Sequence, residues 1–307
     1  MLQSSIDLGT NTCLLLLAEC DGRGEVQRVV SDHSTIVRLG QGVDKARVLA
    51  PEAMERALAC LRGYAKTVRD AGADPARTMA VATSQARDAR NGAEFFARVK
   101  EETGFGFRVL SGDDEAKYTF LGGLLPGSDP AESAVIDIGG GSTELITLGG
   151  GRSIDMGSVR FSERYIKSDP ATDAEFWACQ EAIDEALQPM IAWREKSSGA
   201  KLTAVAGTAT TLAQWQLGLE KFDARAIDEA VLTRGDIHRL VEELKWRTVE
   251  ERCKLPGIDR GRADVLLAGG LILWRSLEVL KFESCRVSTR GLRYGVLRLL
   301  STEPARA

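Results

Sequence analysis

The chain has 307 residues, 44% hydrophobic and 27% charged, which excludes a disordered chain and, at about 150 residues per domain, fits two domains. Lys and Arg number 40 against 44 Asp and Glu, for a net charge of -4; a broad basic face of the kind nucleic acids need is absent, and any polyanion must be held by a local site. No run approaches the roughly 18 apolar residues of a membrane span, and Met1-Leu2-Gln3-Ser4-Ser5 lacks a charged signal start.

The first segment, Ser5 to Thr12 followed by Cys13-Leu14-Leu15-Leu16-Leu17-Ala18, reads as strand, tight polar turn and buried strand. From Pro51 to Ala73, Met54, Ala57, Leu58, Leu61, Ala65 and Val68 share one face of a helix that packs on a sheet. Met79-Ala80-Val81-Ala82 is a short strand, Thr83 to Asn91 leads into a helix ending near Gly104, and Phe107-Arg108-Val109-Leu110 is a further strand. Ser111-Gly112-Asp113-Asp114-Glu115 looks like a helix N-terminus, with a Ser cap and acids in the first turn. The turn-forming cluster Pro126-Gly127-Ser128-Asp129-Pro130 places a domain boundary near Gly122-Gly123, with domains 1–124 and 125–290.

The second half opens by repeating the first motif: Ala134 to Ile138, a glycine-rich turn Gly139-Gly140-Gly141-Ser142, then Thr143-Glu144 and Leu145-Ile146-Thr147-Leu148. A helix from about Ala174 to Lys196 contains Pro189, which should divide it. Lys201 to Ala206 is a strand entering Gly207-Thr208-Ala209-Thr210-Thr211, and Leu212 begins a helix. Two helices, 234–252 and 262–281, precede a strand at Cys285-Arg286-Val287-Ser288 and a last helix from Gly291 to Leu300. Alternating strands and helices define an α/β fold. Trp177, Trp193, Trp215, Trp246 and Trp274 sit at amphipathic positions and read as core. The six cysteines form no CxxC pair and read as reduced core thiols of a cytosolic protein. Histidines 33 and 238 lie in no zinc-binding or triad pattern.

Chemistry concentrates in the turns. Glycines after a strand let backbone amides point at one focus, as phosphate cradles require; Gly139-Gly140-Gly141-Ser142 fits, as do the turn after Asp7 with Asn11 and Thr12 and, more weakly, Gly207-Thr208. Neither a P-loop nor a GxGxxG pattern occurs. Asp137 and Glu144 lie on the two arms of the second hairpin; if the strands pair, both carboxylates share one face and suit Mg²⁺. Glu144 also reads as a solvated strand residue, and Asp137 as a turn acid bonded to its own backbone. A carboxylate crowded by Asp113 and Asp114 could serve as a base for water, and spacing does not identify which of the three acids acts. Arg87 and Arg90, at a helix start, carry guanidinium forks suited to phosphate, and Arg90 reads equally as part of a solvated helix face.

These pieces, in this order, resemble the exopolyphosphatase / guanosine pentaphosphate phosphohydrolase (Ppx/GppA) family of the sugar kinase, heat-shock chaperone and actin ATPase superfamily. The carriers are Ile6 to Thr12, Val37-Arg38-Leu39-Gly40, Ala82 to Asn91, Ser111 to Ala116, Asp137 to Glu144, Met156 to Arg160, Arg262-Ala263-Asp264 and Gly291-Leu292-Arg293. The resemblance implies two ribonuclease-H-like, actin-like lobes with an active site in the cleft between them, the last helix (about 291–307) packing back on the first lobe. It implies that Glu115 activates water, that Asp137, Glu144 and, through water, Asp7 hold Mg²⁺ or Mn²⁺, and that Arg87 contacts phosphate with Asn11, Thr12, Gly139, Gly140, Gly141, Ser142, Gly207 and Thr208. Tyr294 stands where the family commonly has an acid.

The resulting expectation is a metal-dependent hydrolase of inorganic polyphosphate favouring short chains, because longer family members continue into further helical domains. Guanosine pentaphosphate is the alternative substrate, and a non-catalytic sensor of guanosine tetraphosphate or polyphosphate the alternative of another class. The resemblance allows a homodimer and gives no nucleic-acid or membrane partner.

Overall fold

Two apolar runs joined by a polar turn open the chain as β1 (Leu2–Leu8) and β2 (Thr12–Cys20), paired antiparallel. β3 (Val26–Ile36) continues the meander beside β2, while β4 (Met79–Ala82) and β5 (Phe107–Val109) extend the sheet in parallel from β1, in the order β3-β2-β1-β4-β5. Alternation along β1 gives the sheet two faces. Ile6 and Leu8 pack under the Pro51–Asp70 helix, whose Ala53, Ala57, Leu58, Leu61, Ala65 and Val68 complete that layer with Phe95 and Val99 of the Gly92–Thr103 helix. On the other face Ser5 donates its hydroxyl to the Arg293 carbonyl at 2.7 Å. There the final helix, Leu292–Leu300, sets Tyr294 and Leu297 against Leu16 and Ala18, and Leu292 and Val296 against Val81, Leu110 and Tyr118.

The computed structural model describes residues 1–196 and 199–300, and they fall into two units: Met1–Gly122 joined by the chain from Gly291, and Gly123–Arg290. The expected packing of 301–307 lies outside the described residues. The final helix crosses the Gly112–Gly123 helix through glycines. A Cβ on Gly295 would lie 1.8 Å from the Tyr118 carbonyl oxygen, and one on Gly122 would lie 2.2 Å from that of Gly291. Arg293 closes this layer with a two-pronged ion pair to Asp32 on β3, at 3.0 and 2.8 Å.

The second unit repeats the strand logic. β6 (Ser133–Ile138), β7 (Thr143–Thr147) and β8 (Gly150–Ile154) form an antiparallel meander. β9 (Lys201–Val205) pairs parallel with β6, and β10 (Val231–Thr233) and β11 (Ser284–Val287) complete the order β10-β11-β9-β6-β7-β8. Helices Asp173–Leu187, Arg234–Lys245 and Leu266–Val279 bury Phe176, Ile183, Leu240, Leu244, Leu271 and Ile272 in its core. The architecture is α/β with two mixed sheets, as the alternation of elements implies.

The helix over 174–196 is divided at Pro189, with a 3-10 turn at Gln188–Met190 before Ile191–Lys196. Three other readings need correction. The helix expected to begin at Leu212 begins at Ala206, which takes φ 67° to turn straight out of β9, so Gly207 and Thr208 sit in a helical first turn and not in a loop. The helices over 234–252 and 262–281 are each broken: Thr248 starts a new helix with its own capping box to Glu251, and the Arg260–Ala263 turn precedes Leu266–Val279. Trp177 and Trp246 are not core residues but 55% and 66% exposed; both flank Lys245, whose ammonium lies 5.5 and 4.7 Å from their rings. All six cysteines are free thiols, and among the described residues no helix is long and apolar enough to cross a membrane.

Candidate active site

The two hairpins are the same device built twice. In the first, Gly9 donates to the Thr12 carbonyl at 2.9 Å, and Asp7 pairs with Leu14. In the second, Gly139 donates to the Ser142 carbonyl at 3.0 Å, and Asp137 pairs with Glu144. The turn carbonyls are occupied from behind. Thr10 accepts from Gly40, and Asn11 from Val37 and Arg38; Gly139 accepts from Ser158, and Gly140 from Val159 and Arg160. The Arg160 side chain adds a bond to the Gly141 carbonyl at 2.6 Å. Turns whose carbonyls are tied back in this way are suited to presenting their remaining amides to an anion. Gly157 makes the second cradle possible: a Cβ there would lie 2.4 Å from the Gly140 carbonyl. In the first cradle, Thr10 is fixed by Ser84 and Gln85 at 3.1 and 3.3 Å, and the buried Asn11 Oδ1 has no protein partner, leaving an acceptor for a ligand or water.

In the first unit, Glu115 stands apart from the two acids before it. Asp113 is exposed, and Asp114 faces outward to Arg108 at 3.3 Å. Glu115 is only 7% exposed and accepts from Arg87 Nη1 at 2.7 Å, while the same nitrogen donates to the Leu110 carbonyl at 2.8 Å. Ser111 caps the helix through Asp114 at 3.1 Å, so capping and burial of an acid coexist in one turn. Burial raises the Glu115 pKa, and the Arg87 charge and hydrogen bond oppose that rise. The crowding by Asp113 and Asp114 expected from sequence is not the cause, because both turn away. The Asp7 carboxyl, on the face of β1 toward Arg293, is pushed up to about 7 by burial and by the Glu115 charge, with Arg293 pulling it down. Arg90 is exposed, beyond the end of the Ser84–Asp88 helix.

In the second unit, Asp137 and Glu144 face each other directly across β6 and β7, so both carboxylates lie on one side of the sheet. Glu144 is 1% exposed and accepts from Ser153 Oγ at 2.6 Å, which removes the reading of a solvated strand residue. Like charges directly opposed on a ladder repel unless a cation or proton intervenes, and two hard carboxylate oxygens suit a divalent ion of the Mg²⁺ or Mn²⁺ type. Among the described residues no three His, Cys, Asp or Glu side chains form a ready-made metal centre; an ion on this pair would complete its shell with water or phosphate oxygen. Asp7 belongs to the first unit, with Glu115 and Arg293 as its charged neighbours.

Gly207 and Thr208 sit in the first turn of the Ala206–Gln216 helix, where unpaired amides favour anions. The Arg262 guanidinium lies against Gly207: a Cβ on that glycine would be 1.5 Å from Nη1. Gly269 similarly opens room for Thr208, whose hydroxyl would be 2.5 Å from a Cβ there. Arg262 and Gly157 were not among the residues assigned to the site from sequence. Both sit in segments that carry the family resemblance, but their contacts join residues distant in the chain, and spacing alone does not reveal them.

Two α/β units, each with a strand-turn-strand hairpin at one end of a mixed sheet, define an actin-like fold. The family model "Ppx/GppA phosphatase family" matches residues 20–303, and the chain belongs to that family. It is 34% identical over 284 residues to "Exopolyphosphatase 2" of Mycobacterium tuberculosis (strain CDC 1551 / Oshkosh), a match covering 88% of each chain. The crystal structure of an exopolyphosphatase-like protein superposes with a TM-score of 0.88 at 30% identity, covering 98% of this chain and 99% of that one. That of an exopolyphosphatase from Cytophaga hutchinsonii gives 0.87 at 26% identity, covering 98% of both chains.

Proposed function

We propose that the protein is an exopolyphosphatase that hydrolyses the terminal phosphoanhydride of inorganic polyphosphate and releases orthophosphate. The observation that carries this reading is Glu115, a buried carboxylate held in the first turn of a helix by Arg87, in a chain of this family. Glu115 takes a proton from the attacking water as its oxygen closes on the terminal phosphorus, and the bridging P–O bond breaks to release orthophosphate and a chain one unit shorter. Arg87 orients the carboxylate and keeps it charged. In the first unit the Asn11-Thr12 turn suits phosphate oxygens, and in the second the Gly139–Ser142 turn does, with Gly207, Thr208 and Arg262 adding positive potential there. Asp137 and Glu144 would hold a divalent ion, which when bound neutralises phosphate charge.

Glu115→Gln keeps the shape and removes the base, so phosphate release from polyphosphate with Mg²⁺ should fall by about 10²- to 10⁴-fold. Wild-type release from that variant would overturn the assignment. Running triphosphate, longer polyphosphates and guanosine pentaphosphate in parallel fixes the substrate; a preference for guanosine pentaphosphate over every polyphosphate would overturn the proposed one.

A further inference from the structure

On the face of the first sheet opposite Asp7, two cysteines from different elements meet. Cys13, the residue after the Asn11-Thr12 turn, is fully buried on β2, directly opposite Thr35 on β3. Tyr64 reaches down from the Pro51–Asp70 helix, donating to the Cys13 carbonyl at 2.9 Å and hydrogen-bonding the Thr35 hydroxyl at 2.8 Å. Cys60 lies one helical turn before Tyr64, on the same face, and joins the apolar cluster that contains Cys13. Cys60 therefore lies beside the Tyr64 side chain that bridges Cys13 and Thr35, near enough to Cys13 for each thiol to shift the acidity of the other. Ala53 and Ala57, small and buried on that helix face, let its backbone approach the sheet closely. Cys60 is partly exposed, whereas Cys13 is buried.

We propose that Cys13 and Cys60 form an oxidisable dithiol, a modification site at which a hydroperoxide produces an intramolecular disulfide tying β2 to the Pro51–Asp70 helix. The Cys60 sulfur attacks a peroxide oxygen and the O–O bond breaks, leaving a sulfenic acid on Cys60 and releasing water or an alcohol. The Cys13 sulfur then attacks the Cys60 sulfur; the S–S bond forms and a second water departs with the Cys13 proton. Two thiols lose two electrons in all, and one peroxide gains them. The neighbouring Cys13 thiol, and then the Thr35 and Tyr64 hydroxyls, draw the Cys60 thiol below its ordinary value against the effect of burial, whereas burial pushes Cys179 and Cys285 up to about 12. Cys60, partly exposed where Cys13 is fully buried, is the attacking group and Cys13 the resolving one.

The full-length protein, treated with equimolar hydrogen peroxide at neutral pH, blocked with a maleimide and digested without reductant, should yield a Cys13–Cys60 linked peptide that dithiothreitol removes. Before oxidation, Cys60 should react with iodoacetamide about tenfold faster than Cys253, which has comparable exposure. In Cys13→Ala the Cys60 sulfenic acid should persist and be trapped by dimedone. The half-buried site makes Cys60→Ser the gentler variant, and it should abolish the link while leaving phosphate release intact. Alkylation of Cys60 no faster than Cys253, or peroxide treatment that leaves no linked pair, would overturn the proposal.

Discussion

At Glu115 the chain places a carboxylate in two conflicting environments at once: an interior that disfavours its charge and an Arg87 guanidinium 2.7 Å away that favours it. Burial dominates, so the group ionises above its ordinary range. As a base it must be deprotonated, and kcat/KM should therefore fall on acidification through a pH above the ordinary carboxylate range. Arg87→Ala removes the influence that lowers this pKa and should shift the acid limb to higher pH, besides slowing turnover; Arg87→Lys should restore part of the shift. A pH profile of kcat/KM for the three proteins checks this, and an unmoved limb would count against Glu115 as the titrating base. Sequence could not choose among Asp113, Asp114 and Glu115, because three consecutive helical positions spread over most of the helix circumference. The choice is made by Arg108 and Arg87, which engage different sides of that turn from elsewhere in the chain.

The duplicated hairpin shows what local sequence does and does not carry. Its apolar strands and glycine turn are readable, because period-two burial and turn chemistry leave strong signals. β3, β8 and β10 left none: all are edge strands, β3 and β8 with no fully buried residue and β10 only three residues long. Cysteine and tyrosine contacts from the Pro51–Asp70 helix and the glycine contacts behind the cradle are equally silent, being set by packing between elements. The Gly157 position tests this directly. Gly157→Ala forces the Gly140-Gly141 backbone aside and should cost about 1–3 kcal/mol by urea denaturation. Phosphate release should fall beyond what the stability loss explains, since the turn itself is displaced. Gly149→Ala, on the open end of the β7-β8 hairpin with only a distant Thr147 contact at 3.9 Å, is the neutral control.

At the scale of the chain, the first unit is sewn from both ends. Arg293 is nearly buried while Asp32 keeps about a third of its side chain exposed, so Asp32→Asn should cost about 1–3 kcal/mol, less than breaking a fully enclosed pair. Denaturation midpoints compared with wild type check that figure; no change would mean the clamp adds nothing beyond apolar packing. The α/β class and the family were legible because eight short segments recur in the right order over the chain, whereas the Asp32–Arg293 tie links positions that no local pattern connects. A ribosome delivers these partners far apart in time. Between β5 and the final helix it must make the Gly123–Arg290 stretch, roughly ten to thirty seconds of synthesis at about 5–20 residues per second. Throughout that interval Leu16, Ala18 and Val81 lack the Tyr294, Leu297 and Val296 side chains that cover them. Until its last helix emerges, the nascent N-terminal half thereby exposes apolar surface of the kind that holding chaperones bind, while the segment made in between can complete its own core first.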